Sequence, residues 1–286
     1  MNNGSDLHKE NANLLRLGFS GETGGAHASR TIMVDELGKL LDAVQDPLAK
    51  RDKYRLAIIE ENTLGKRSAK TRTLTFRHLA DLYGLDPDLL VFRGLRFFWD
   101  RDPGGRVLLA LQCAFARDAL LRSSAPFISP KTEGVTVSRE SMEAHIEALF
   151  PNRFSAATLK STAQNLNSSW TKAGHLSGRA VKIRCQANPT PGNAAYAVFL
   201  GHLAGLRGLS LFSSPYAKLL DCGPDRSLEL AQQAGQKGWL SINHIGDVFE
   251  VYFRIYCRGP TGSGCNEPSQ TPREILRSVH LDTLAR

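Results

Sequence analysis

Acidic residues are missing from a quarter of this chain. Between Glu147 and Asp221, 73 consecutive positions carry no carboxylate side chain, where 28 acids in 286 residues would place about seven. Residues 151–220 hold eight lysines and arginines and no acid, which by itself equals the net charge of +8. A surface that cannot repel phosphate is the electrostatic footprint of a nucleic-acid partner. A basic face that docks an acidic protein is the alternative.

Other absences narrow the class further. No apolar run approaches the roughly 20 residues that cross a bilayer, so no membrane partner is expected. The opening residues lack the basic start and apolar stretch of a secretory signal. Five cysteines, an odd number, form no CxxC pair. That pattern argues against a disulfide framework or a zinc site and fits a reducing cytoplasm.

Motifs of catalysis are lacking too. There is no HExxH, no GxSxG, and no glycine-rich methyl-donor loop after a strand. Gly259–Cys265 has the glycines of a phosphate loop without its Lys-Ser/Thr ending, and Gly21–Gly25 fails the same test. His145, His175, His202 and His244 stand alone and read as structural. Asp100-Arg101-Asp102 ahead of Pro103 reads as a helix cap rather than a metal site. Strand-like runs are too few for a nuclease or methyltransferase sheet. No enzyme activity, cofactor or metal is expected.

What the chain does have is helical periodicity. Residues 1–30, rich in Gly, Ser and Asn, read as a flexible arm. Residues 31–128 read as a helical bundle of five helices with short loops. Val34–Val44 places Leu37, Leu40, Leu41 and Val44 on one face, and Arg51–Glu61 places Tyr54, Ala57 and Ile58 together. Ser68 caps a third helix through Tyr83, burying Leu74, Leu79 and Leu82, with Gly84 as its stop. Pro87 opens a fourth helix through Trp99. A fifth runs over Arg106–Arg122.

After a linker at Ser129–Gly134 the pattern changes. Residues 135–188 read as a winged helix-turn-helix. Ser138 starts a helix with Met142, Ile146, Leu149 and Phe150 on one face, and Pro151-Asn152 breaks it. Ser155 caps a longer helix with an apolar stripe of Leu159, Ala163, Leu166 and Trp170, ended by Gly174. Ala180–Cys185 reads as a wing strand. Residues 194–256 read as a C-terminal helix plus β-hairpin unit, with strands at Trp239–Asn243 and Val248–Phe253 around a turn at His244–Asp247. In the second strand Phe249, Val251 and Phe253 face the core. Residues 257–286 form a tail. The fold class is mainly α, a helical bundle followed by winged-helix-like units with small hairpins.

The functional signal lies opposite the stripe of the long helix. Lys160, Ser161, Gln164, Asn167, Ser168, Thr171 and Lys172 are donors and dual donor–acceptors, the groups that read base edges and phosphates. An ordinary solvated face would mix in acids and salt bridges. Arg153 before the helix and Arg179, Lys182 and Arg184 in the wing would flank a nucleic-acid backbone. A second cluster, Lys66, Arg67, Lys70 and Arg72 around Ser68, enters a helix whose N–H groups could help hold phosphate. Double-stranded DNA is the expected partner.

Two stretches resemble a known family. Glu60-Glu61-Asn62-Thr63-Leu64-Gly65-Lys66 with Ser68–Arg77, and Ser155–Lys172 with Ala173-Gly174-His175-Leu176, are similar to regions of the BrxA family, small helical components of bacterial BREX phage-defence loci. The resemblance covers roughly residues 50–180. It implies a non-enzymatic protein with DNA affinity that works beside a methyltransferase and other defence proteins. It supplies no catalytic residue. The rival readings are a transcriptional regulator, a protein–protein adaptor and an RNA binder.

Overall fold

The centre of the molecule is a helix with no polar face. In a computed structural model that describes residues 11–21, 24–245, 248–253 and 255, the segment Pro191–Leu203 is apolar on every side and its side chains are almost all buried. A helix that is apolar all round must be enclosed by others. Its start is tightly specified. Thr190 and Asn193 cap it reciprocally, and Asp102 accepts hydrogen bonds from Thr190 Oγ1 (2.6 Å) and the Gly192 N–H (2.8 Å). Asp102 is therefore a cap, as its sequence context implied, but for a helix 88 residues further on.

Around this hub the described helices are α1 (Val34–Ala43), α2 (Arg51–Ile59), α3 (Ala69–Tyr83), α4 (Leu90–Arg101), α5 (Arg106–Arg117), α6 (Ala119–Ile128), α7 (Arg139–Leu149), α8 (Ala156–Lys172), α9 (the hub), α10 (Pro215–Lys218) and α11 (Pro224–Gln236). The fold is mainly α with small antiparallel hairpins. No described helix is long and apolar enough to cross a membrane. Helix α9 packs on α4, α5 and α11 at once. The Tyr196 hydroxyl donates to the Val91 carbonyl (2.8 Å), and Gln112 Nε2 donates to the Asn193 carbonyl (2.9 Å). At Gly94 of α4 a Cβ would come within 2.7 Å of the Phe199 ring, so glycine lets the two helices touch there. One continuous core runs from Leu17 to Ile255, across the boundaries expected near residues 128 and 194.

Several local expectations need correction. The Arg106–Arg122 helix is two helices, because Asp118 leaves helical geometry and caps α6 through the Leu121 N–H (3.0 Å). An aspartate whose side chain binds backbone N–H groups competes with helix continuation. Pro87 does not open α4. It sits in a turn where the Leu89 N–H bonds the Asp86 carbonyl, and α4 begins at Leu90. On α3 the buried face is Thr75, Leu79, Ala80, Leu82 and Tyr83, while Leu74 is exposed.

The flexible-arm reading also fails for the described part of residues 1–30. Helical turns over 11–17 bury Leu17, then Phe19 is buried, and the 3-10 turn Ala26–Ala28 docks on α8 with His27 enclosed. Arginines satisfy the arm's backbone: Arg117 binds the Gly18 carbonyl, and Arg122 binds those of Ser20 and Gly21. Glycine-rich composition here serves a close-fitting extended path, with Gly18 and Gly25 at positive φ.

Residues 136–184 form the order β1 (Thr136–Val137), α7, α8, β2 (Leu176–Ser177), β3 (Lys182–Arg184), with β3 between the other two strands. Thr136 pairs with Ile183 and Leu176 with Arg184, both antiparallel. Gly178 turns the wing at positive φ, and a Cβ there would strike the Val181 carbonyl oxygen. Ser138 and Ser155 cap α7 and α8 by accepting from Ser141 and Thr158 N–H groups. The second hairpin, β4 (Leu240–Ile245) with β5 (Val248–Phe253), is longer than expected, since His244 and Ile245 are strand rather than turn. Val251 and Phe253 face the core, and Glu250 is exposed. The expected tail, residues 257–286, lies outside the described residues.

Candidate nucleic-acid interface

Helix α8 is held against the core by the expected stripe. Ala163, Leu166 and Trp170 are fully buried and Leu159 is partly so. Lys160 and Gln164 are exposed on the opposite side, with Ser168 and Thr171 half-buried beside them. Two assigned contact residues are not available. Asn167 is only 3% exposed, because the buried arc of the helix is wide enough to include it. Arg184, at 5% exposed, turns inward and forms a bidentate ion pair with Asp221, and also donates to the His175 carbonyl. Burial pushes the Asp221 carboxyl up, but hydrogen bonds from Arg184 and the Ala187 N–H outweigh it and hold the group below its ordinary range. Arg184 thus staples the wing to the C-terminal part of the chain.

The remaining wing and loop cations stay at the surface. Arg179 is exposed, Lys182 is half-buried with Nζ on the Gly178 carbonyl (2.7 Å), and Arg153 lies over the Phe150 and Phe154 rings at 5.0 and 5.3 Å. That stacking orients the guanidinium without consuming its charge. In the second cluster Arg67 and Lys70 are exposed, whereas Arg72 is half-buried.

The tertiary structure brings acids to the acid-free stretch. Lys172 pairs with Asp35 (2.5 Å) and Lys66 with Glu36 (3.1 Å). The charge of Lys160 is felt by Glu140 at the start of α7. Because Asp35 and Glu36 are neighbours in the first turn of α1, they also bring Lys172 and Lys66, 106 positions apart in sequence, to neighbouring points of the surface. No motif pointed to either acid; each is far from its partner along the chain.

A second grouping was equally hidden. His27 Nδ1 lies 2.9 Å from Asp118 Oδ2, and His27 Nε2 lies 2.9 Å from Ser169 Oγ. The hydrogen-bonded order of acid, histidine and hydroxyl resembles the connectivity of a hydrolytic triad. All three side chains are sealed from solvent. The Ser169 hydroxyl already donates to the Asn165 carbonyl (2.8 Å) and accepts from the Ile32 N–H (3.0 Å). Burial raises the Asp118 carboxyl, but the His27 charge and N–H donors from His27 and Leu121 bring it below its ordinary range. This network clips the arm onto α8. Ser161 and Asn165 add bonds to the Ala28 and His27 carbonyls, so the arm covers one flank of the helix and leaves the Lys160–Gln164 face open.

Among the described residues no three His, Cys, Asp or Glu side chains stand together as a metal site would require. Neither protein-family models nor curated proteins give a match to this chain.

Proposed function

We propose that this chain is a non-enzymatic double-stranded DNA-binding protein of the cytoplasm, whose contacts are mainly to phosphates. The observation that carries the reading is the β1–α7–α8–β2–β3 order with an open α8 face of donors and no carboxylate of its own, flanked by Arg153, Arg179 and Lys182. In a helix-turn-helix the second helix enters the groove while flanking groups hold the backbone. Following the BrxA resemblance, its setting would be a bacterial phage-defence complex of the BREX kind, beside a methyltransferase. A transcriptional regulator would use the same surface but prefer one operator over random DNA by at least about 10³-fold.

The protein–protein adaptor reading has one observation of its own. Val135, Val181 and Ile183 expose apolar surface on and beside the wing sheet. A salt series separates the two. Binding to a random-sequence duplex should weaken steeply, with log affinity falling by about 0.9 per log salt for each phosphate contacted. Salt-insensitive binding, or none at low salt by folded protein, favours the adaptor.

Charge reversal locates the surface. Lys160→Glu with Lys172→Glu should lower DNA affinity by about 100-fold, since two phosphate attractions become repulsions. The melting midpoint should fall only slightly, because both residues lie off the buried stripe and the one ion pair lost, Lys172–Asp35, is open to solvent. Arg179→Glu with Lys182→Glu should weaken binding more mildly. If Lys66→Glu with Arg67→Glu abolishes binding while the α8 pair does not, the winged helix is a structural module and the surface belongs to α3.

A further inference from the structure

Lys172 of α8 and Lys66 of the second basic cluster are occupied in the free protein by acids held in a fixed place. We propose that Asp35 and Glu36 act as internal phosphate surrogates, screening Lys172 and Lys66 until a nucleic-acid backbone displaces them. The inference rests on the DNA-binding reading and concerns how that surface is regulated.

Asp35 and Glu36 occupy the first turn of α1, and the residues just before them are locked against α8 and α3. The Ile32 N–H donates to Ser169 Oγ (3.0 Å), and the Tyr83 hydroxyl donates to the Ile32 carbonyl. Met33, the residue just before α1, takes a left-handed backbone (φ 47°) that a non-glycine residue adopts only when its surroundings require it. Through these bonds the buried His27–Asp118–Ser169 clip sets where the two carboxylates sit. Their meeting with lysines from two distant segments is therefore built into the core.

The Asp35 side chain is 75% exposed and its lysine partner 34%. That pair is weak and screened by salt, whereas Glu36 and Lys66, at 28% and 27% exposed, are held more firmly and exchange second. Both acids also lie at a helix N-terminus, where the helix dipole favours negative charge with or without a lysine. They can release their partners without being stranded. A DNA phosphate offers the same charge within a dense array and gains by counterion release. Lys172 and Lys66 would then join Lys160, Arg67 and Lys70 on one track.

The test uses the full chain, a labelled random-sequence duplex of about 30 base pairs and a salt series. Asp35→Asn with Glu36→Gln should tighten binding roughly tenfold at low salt and steepen the salt dependence, because no freed carboxylate is left to take up a cation when DNA binds. Asp35→Asn alone should give about half the logarithmic gain. It removes only an exposed group, so it keeps the test valid should the double variant fold poorly. Unchanged or weaker binding by folded Asp35→Asn, while the wild type binds, overturns the surrogate role and leaves the DNA reading intact. Binding gained by the variant where the wild type shows none supports both. No binding by either overturns both.

Discussion

Lowering the pH from 7 to 4.5 should strip this protein of several kcal/mol of stability, most of it through groups that are not carboxylates. The cause is two histidines buried in the neutral form. Burial pushes His175 down to about 4 from an ordinary value of 6.5, with Arg184 adding to the effect, although Asp221 and the bond to the Leu219 carbonyl oppose it. His175 Nε2 donates to that carbonyl (3.0 Å), while Nδ1 is buried without a partner. A second proton would have to sit on Nδ1 with nothing to receive it. His202 is likewise pushed down to about 4 by burial, helped by the charge of Arg207.

In the unfolded chain both side chains take up a proton near pH 6.5; in the folded chain they resist until about pH 4. Their contribution is thus complete above 6.5 and falls away as the pH drops towards 4. At 1.36 kcal/mol per pH unit the loss is about 3 kcal/mol for each. Asp118 and Asp221, both held below the ordinary carboxylate range, extend the loss below about pH 4. Urea unfolding at pH 7, 5.5 and 4.5 measures this directly. His175→Gln should be less stable at pH 7 and show a flatter slope between 6.5 and 4.5. A wild-type stability that stays level across that interval would mean the histidines are not enclosed as described.

Trp170→Ala should cost about 3–5 kcal/mol at neutral pH, the range for removing a fully enclosed large aromatic. Trp170 has no exposed surface. Its Nε1 donates to Ser124 Oγ (2.8 Å), its ring meets the His175 ring edge-on at 4.9 Å, and its carbonyl accepts the His175 N–H. Truncation would open a void between α8 and α6 and loosen the start of the wing together. Trp170→Phe should be much milder, because it retains most of the volume and Ser124 still donates to the Leu121 carbonyl. The urea midpoint reports both. A loss under about 1 kcal/mol for the alanine variant would place Trp170 at the surface, and with it would go the assignment of Lys160 and Gln164 to the open face.

The residues that could be read from the chain alone are those whose behaviour is local. Ser68, Ser138 and Ser155 cap helices because a hydroxyl reaches an N–H three residues on. Gly84 and Gly174 end helices at positive φ for want of a Cβ. The 3.6-residue period put Ala163, Leu166 and Trp170 inside and Lys160 and Gln164 outside. Interactions between distant segments carry no such period, and only the tertiary structure decided them. It ended α5 at Asp118, which His27 binds across 91 positions. It buried Leu17, Phe19, Ala26 and His27 within the stretch that composition marked as mobile, since arginine side chains and α8 satisfy much of the backbone there. It turned Arg184 from a wing contact into a staple on Asp221, and it set Asp35 beside a lysine of the acid-free stretch and Glu36 beside one of the second basic cluster. Charge counted along a sequence says which residues can attract phosphate. Coulomb attraction acts through space, so which of them are free to do so depended on what the fold placed within a few ångströms.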